Sequence, residues 1–175
     1  MTAKAQTGVE SHHLVSAAEF RSACGLFASG VTLVTRRLPD HSPYGMTVSS
    51  FTSVSLNPPL ILVCIDRGAR FLAELSPDEP FAVNILSDRQ QHLAARFASR
   101  DEEDRFSGVD WAPGWNGVPL VAGVVVTFAC SLHQTLLSGD HQILIGEVHQ
   151  IQRHKGSPLV WCDRGYHCLP EFGED

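Results

Sequence analysis

Apolar residues recur at two different spacings along this chain, and the spacings divide it into short helices and longer strands. Ser16 followed by Glu19 is a capping-box pair, and Phe20, Ala23, Cys24 and Phe27 then share one helical face before Gly30. That spacing predicts a helix over 16–29. A β-branched strand over 31–35 follows, with a turn-rich loop over 39–45. The segment 46–55 (MTVSSFTSVS) is β-prone and dense in hydroxyls, and Asn57-Pro58-Pro59 ends it. The unbroken apolar run 60–65 has the pattern of a strand buried on both faces. A short helix is expected over 69–75, stopped by Pro77, and a strand over 81–86. Ser87 and Gln90 repeat the capping-box spacing ahead of a helix that runs to about Ser99.

The second half reads mainly as strand. Residues 100–105 (RDEEDR) are a solvated charged stretch, and 111–119 (WAPGWNGVP) form a loop by their Gly and Pro content. Two long strands are expected over 120–133 and 142–151, around a turn at 138–141, with a last short strand over 158–163 before Tyr166. Six or seven strands and three helices without βαβ alternation argue against a parallel doubly wound sheet. The expectation is a mostly β fold with peripheral helices, built as an antiparallel barrel. The domain is expected over 14–170, between a flexible tail at 1–13 and a short one at 171–175.

Composition narrows the functions. The chain has 175 residues, 43% hydrophobic and 18% charged, which suits one cored domain and excludes wholesale disorder. The net charge is −6 and the 13 basic residues are scattered, so no basic face for nucleic acid is expected. The most apolar stretch, 118–130, is too short to span a bilayer and carries Pro119 and Gly123, so no membrane role is expected. Cys24, Cys64, Cys130, Cys162 and Cys168 form no C-x-x-C pair, and 1–13 hold no signal-like apolar run. Five reduced thiols in a cytoplasmic protein are the expectation.

Two features bear on chemistry. Thr47, Ser49, Ser50, Thr52, Ser53 and Ser55 crowd one predicted strand, with Ser49, Ser53 and Ser55 on one face and Ser50 and Thr52 on the other. Such hydroxyls and nearby backbone N–H groups can hold a phosphate, and they equally suit a half-exposed strand. Gly139-Asp140-His141 lies at the turn between the long strands. It is either a histidine oriented by its acidic neighbour or turn chemistry beside a surface bystander. There is no Walker motif, G-x-G-x-x-G or G-x-S-x-G, and His149 with His154 lacks a local partner for a metal.

Taken together, GVTLVT (30–35), YGMTVSSFTSVSLNPPLILVCI (44–65), FAVNIL (81–86), QQHLAARF (90–97), GDH (139–141), IGEV (145–148) and PLVW…Y (158–166) resemble the short-chain flavin reductase family. They occur in the family's order over roughly residues 16–169, and their combination is specific where no single piece is. The resemblance implies a Greek-key split β-barrel of the FMN-binding type, usually a homodimer. It also implies an NAD(P)H-dependent flavin reductase that supplies diffusible reduced flavin to a partner monooxygenase.

Site residues follow from the resemblance by position. Thr47, Val48, Ser49 and Ser50 would line the flavin ring through backbone atoms, and Ser53, Val54 and Ser55 would continue that wall toward the phosphate. The loop from Asp66 to Arg70 would close on the phosphate, with Arg70 gripping it. His141 and Tyr166 would meet the nicotinamide, His141 as the one catalytic side chain, and Arg105 precedes Phe106 in a basic-then-Phe pair common in the family. Many relatives carry Ala-Asn or Asn-Ala where this chain has Ser49-Ser50, which leaves FMN or FAD open as the flavin. NADH is the expected donor rather than NADPH, since no basic cluster for a 2′-phosphate is visible. The alternative is a split-barrel flavoprotein that retains its flavin as a prosthetic group or electron carrier.

Overall fold

The computed structural model describes residues 15–99 and 104–170. The expected terminal tails (1–13 and 171–175) and most of the charged stretch (100–103) therefore lie outside the described residues. Helix α1 (Ala17–Gly25) has the predicted capping box: the Ser16 hydroxyl accepts from Glu19 N (3.2 Å), while the Glu19 carboxylate accepts from Ser16 N (3.0 Å). It ends four residues sooner than expected, because β1 (Ser29–Gly30) is drawn into pairing with β11 (Leu159–Cys162).

The chain then builds β2 (Thr32–Arg37), β3 (Pro43–Val48), β4 (Thr52–Leu56), β5 (Pro59–Asp66) and β6 (Pro80–Ile85). Helix α2 (Gln91–Ala98) follows, then β7 (Trp111–Pro113), β8 (Pro119–Val121), β9 (Val126–Ser138), β10 (His141–Arg153) and β12 (Gly165–Cys168). Every ladder is antiparallel. The main sheet has the order β3-β2-β6-β9-β10-β5-β4, so its two edge strands are sequence neighbours.

Only residues 49–51 connect those edges, which forces the sheet to curl until β3 and β4 meet. The Ser50 hydroxyl fastens the seam: it accepts from Cys64 N (2.8 Å) and donates to Cys64 O (3.2 Å) on β5. The edges meet without a ladder between them, so the barrel is split. Segment 46–55 is therefore two strands rather than one. A bulge between Ser53 and Ser55 breaks the expected alternation of hydroxyls a second time.

Val34, Val63, Ile65, Phe71, Phe81, Cys130 and Leu144 fill the barrel. A second cluster, including Leu33, Leu86, Leu93, Ala94, Phe97 and Phe106, lies between the outer face of the sheet and α2. Two-sided burial thus belongs to β2 and β6, which that layer covers. In β5 only Ile61, Val63 and Ile65 are buried, because its outer face has no covering layer within the chain. The helix expected over 69–75 is a single 3₁₀ turn (Arg70–Leu72), since the carbonyls of Phe71 and Ala73 bond to Arg36 instead of continuing a helix.

Other boundaries shift for backbone reasons. Gly123 at φ +74° divides the strand expected over 120–133 into β8 and β9. The loop expected over 111–119 is the hairpin β7–β8, turning at Asn116 and Gly117 with positive φ. Tyr166 lies on β12, a strand absent from the sequence reading because its turn, Asp163-Arg164, takes positive φ without glycine.

Candidate functional site

Two clefts meet at one aromatic side chain. Tyr44, near the start of β3, has the guanidinium of Arg70 at 5.8 Å from its ring centroid and that of Arg105 at 5.6 Å. Arg105 donates through Nη1 to Gly45 O (3.0 Å) and the Tyr44 hydroxyl (3.3 Å), and through Nη2 to Ser99 O. Its Nε is buried and has no hydrogen-bond partner among the described residues. Tyr44, Arg70 and Arg105 form a wall common to two clefts, of about 900 and 500 Å³.

The smaller cleft is lined by Met46, Thr47, Asp66, Gly68 and Phe97 besides that wall. Gly45 lets α2 come this close, since a Cβ there would meet the Phe97 ring at 3.0 Å. The Thr47 hydroxyl donates to Ala94 O (2.7 Å), fixing β3 to α2. Thr47 also lines an adjoining pocket of about 170 Å³ with Val31, Ser49, Trp161 and Tyr166. There the Tyr166 ring stands edge-on to Trp161 (4.8 Å between centroids), and burial pushes its phenol above the usual tyrosine range.

At the far end of β5 the loop after Asp66 is tied to the β9–β10 turn. Asp66 accepts from Gly68 N (2.7 Å), Arg67 N donates to Asp140 O (3.0 Å), and Asp66 stands opposite His141 in the ladder. His141 Nδ1 donates to Asp140 Oδ1 (2.8 Å). That hydrogen bond, with the nearby imidazole charge, holds the Asp140 carboxyl below the usual aspartate range.

Thr47, Asp66, Arg70 and Arg105 are thus brought together around the 500 Å³ cleft, while Ser49 and Tyr166 line the pocket beside it. His141 is half-buried opposite Asp66 in the ladder and lines none of these clefts itself. Val48 faces the core at 6% exposure, so only its backbone is available to a ligand. The Ser50 hydroxyl is committed to Cys64. Ser53, Val54 and Ser55 lie on the edge strand β4 and line none of these clefts within the single chain. His149 shares a hydrogen bond with Ser131 Oγ (2.8 Å) and stacks on Trp115, which accounts for it structurally.

The residue that sequence reasoning missed is Tyr44. It stood inside the quoted motif without a role, because nothing local announces that two distant arginines converge on it.

A family profile described as flavin reductase like domain matches residues 24–170. The chain is 43% identical over 148 residues to a flavin reductase of Pseudomonas putida, covering 84% of this chain and 86% of that one. It is 42% identical over 146 residues to the reductase subunit of stachydrine N-demethylase from Rhizobium meliloti, covering 83% of this chain. The chain spans 63% of that relative's length, and 47% of a second relative from the same organism. Among solved structures, the NADH:FAD oxidoreductase of Streptomyces globisporus C-1027 in complex with NAD and FAD fragments superposes with a TM-score of 0.83. It shares 35% identity, over 90% of this chain and 94% of that one.

Proposed function

The chain belongs to the flavin reductase like family, and on that premise we propose that it is an NAD(P)H:flavin oxidoreductase with NADH as donor. It reduces FMN or FAD and releases the reduced flavin to a separate monooxygenase. The observation that carries this reading is the convergence of Thr47, Asp66, Arg70 and Arg105 on the cleft beside Tyr44. Relatives bearing the names flavin reductase and monooxygenase reductase subunit support it.

The residues present fit a flavin. Two guanidiniums on one wall, one of them with a buried Nε still unpartnered among the described residues, suit an anionic group that brings its own acceptors. Bound flavin supplies an acceptor for a hydride from the nicotinamide ring. The backbone of Thr47, Val48, Ser49 and Ser50 would line its ring, and Arg70 would neutralise its phosphate while Arg105 braces Tyr44. Asp140 holds the His141 imidazole by Nδ1, which leaves Nε2 for the nicotinamide, and Tyr166 lines the adjoining pocket from β12. The work of the chain is to stack two flat rings and exclude water, so no nucleophilic side chain is needed.

Asp66 and Arg70 are exposed to solvent, which supports a site that releases its flavin between turnovers. We also propose a homodimer, which would bring a neighbouring subunit to Ser53, Val54 and Ser55, and a cytoplasmic setting. No helix among the described residues is long and apolar enough to cross a membrane.

The test is NADH consumption by the purified protein without flavin, then with FMN, then with FAD. Activity that saturates with added flavin is the expected result and ranks the two flavins. No activity under any condition, with a flavin still bound, would replace this reading with a retained-flavin carrier.

A further inference from the structure

We propose that Arg36, a buried arginine of β2, is the positioning residue of the anion grip: it anchors the turn that carries Arg70 and so sets Arg70 against Tyr44. This rests on the reading that Arg70 takes the flavin phosphate.

Arg36 is 1% exposed, and each nitrogen of its guanidinium has a hydrogen-bond partner. Nη1 donates to Phe71 O (2.9 Å) and Ala73 O (3.2 Å), Nε to Arg37 O (3.0 Å), and Nη2 to Glu79 Oε1 (3.1 Å). The two outer carbonyls flank Leu72 in the turn that Arg70 begins. Glu79 closes the far end of the excursion: its second carboxylate oxygen accepts from Ser76 Oγ (2.7 Å), and its carbonyl accepts from Leu132 N (2.9 Å) on β9. Both ends of segment 70–79 therefore hang on one guanidinium. On the neighbouring strand Arg36 is the direct cross-strand partner of Tyr44, and the Tyr44 ring lies 6.3 Å from that of Phe71. Arg36 thus determines where both members of the Arg70–Tyr44 contact stand.

A buried ion pair is a poor way to gain stability, since well-packed apolar residues of the same volume often serve as well. What the guanidinium provides and an apolar side chain cannot is a fixed fork of donors that ties a loop to the barrel through its carbonyls. The segment has no regular structure beyond its single 3₁₀ turn. Buried Phe71 and the bond from Asp78 N to Leu132 O (3.1 Å) tether it to the barrel, and the fork fixes the carbonyls on either side of Leu72.

The experiment measures FMN and riboflavin binding by quenching of flavin fluorescence, since riboflavin lacks the phosphate. The variants are Arg36→Lys, Glu79→Gln, Arg70→Ala and the double variant Arg36→Lys/Arg70→Ala. Arg36→Lys keeps the charge and loses the fork, and Glu79→Gln keeps the fork and weakens its hold on the far end of the segment by removing the counter-charge. Each is expected to weaken FMN binding about tenfold and riboflavin by less than about twofold, with the double variant no weaker than Arg70→Ala alone. Equal weakening of both flavins, or full additivity in the double variant, overturns the positioning role. If Arg36→Lys does not fold, Glu79→Gln decides by the same comparison. Arg70→Ala that keeps the full preference for FMN over riboflavin overturns the phosphate reading itself, and the proposal with it.

Discussion

His141 stands opposite Asp66 at the point where β10 begins and β5 ends. The pairing places the one candidate catalytic histidine next to the loop that carries Arg70, although the two segments are far apart in sequence. A hydrogen bond from Arg67 N to Asp140 O (3.0 Å) ties the junction, so the histidine turn and the loop proposed to take the phosphate are joined. The positions proposed for the nicotinamide and the flavin phosphate are thereby tied to each other through the backbone.

That arrangement separates two measurable quantities. His141→Ala is expected to lower kcat/KM for NADH by the equivalent of roughly 1–3 kcal/mol of transition-state stabilisation, because the role proposed for the imidazole is to orient the nicotinamide without carrying the hydride. Flavin affinity should stay close to that of the parent protein, since no flavin contact is assigned to the side chain. Steady-state kinetics alongside flavin titration checks both, and unchanged turnover would remove the role given to His141.

Tyr44 is expected to matter as a ring rather than as a hydroxyl. Each guanidinium over its face contributes on the order of 0.5–1 kcal/mol at a partly exposed site. Tyr44→Ala should therefore weaken flavin binding about tenfold as Arg70 and Arg105 lose their common platform. Tyr44→Phe keeps the ring and loses only the long hydrogen bond from Arg105 (3.3 Å), so its affinity should fall no more than about threefold. Equal losses in the two variants would show that the hydroxyl is what counts.

Parts of the fold were legible because they rest on local chemistry. The capping boxes at Ser16 and Ser87 depend on side chains three residues apart, and both are formed. The long hairpin was readable from two apolar runs around a Gly-Asp turn. The helix expected over 69–75 failed for a non-local reason: Arg36, more than thirty residues earlier, takes the carbonyls a helix would have used. The hydroxyl strand failed because alternation along 46–55 cannot reveal that the chain crosses from one sheet edge to the other at Ser50. Gly146, within the IGEV motif, has a comparable hidden cause. A Cβ there would collide with the Phe81 ring across the barrel core, a constraint invisible until β6, β9 and β10 are side by side.

The core thiol gives a pH prediction whose sign follows from burial. Cys130 is wholly buried, and desolvation raises its thiol from an ordinary 9.0 to about 12. The unfolded chain ionises first as the pH climbs, so the contribution is intact below pH 9.0 and is lost progressively toward about 12. The slope from this one group is at most roughly 1.4 kcal/mol per pH unit. Denaturant unfolding across that range should show a shallower decline for Cys130→Ala than for the parent protein. A thiol reagent at mildly alkaline pH should label the exposed Cys168 and reach Cys130 only after unfolding.

Helix α1 gives the clearest prediction about assembly. None of its residues is buried in the single chain: Phe20 is 62% exposed, and beyond the helix Leu26 is 65% and Phe27 80% exposed. Leaving such large apolar side chains in water is costly, and a capped helix is an expensive way to display them unless another surface covers them. A pocket of about 270 Å³ lies between Phe20, Phe27, Trp161 and Ser49, so whatever covers α1 also borders the Ser49 side of the site. A second copy of the chain is the occupant proposed above. Light scattering should give twice the chain mass of 19.1 kDa for the parent protein. Phe20→Ser/Phe27→Ser should shift the mass toward one chain and lower turnover in parallel, because the subunit that completes the site has gone. A parent protein that is monomeric and fully active would show instead that the barrel works alone and that α1 serves another partner.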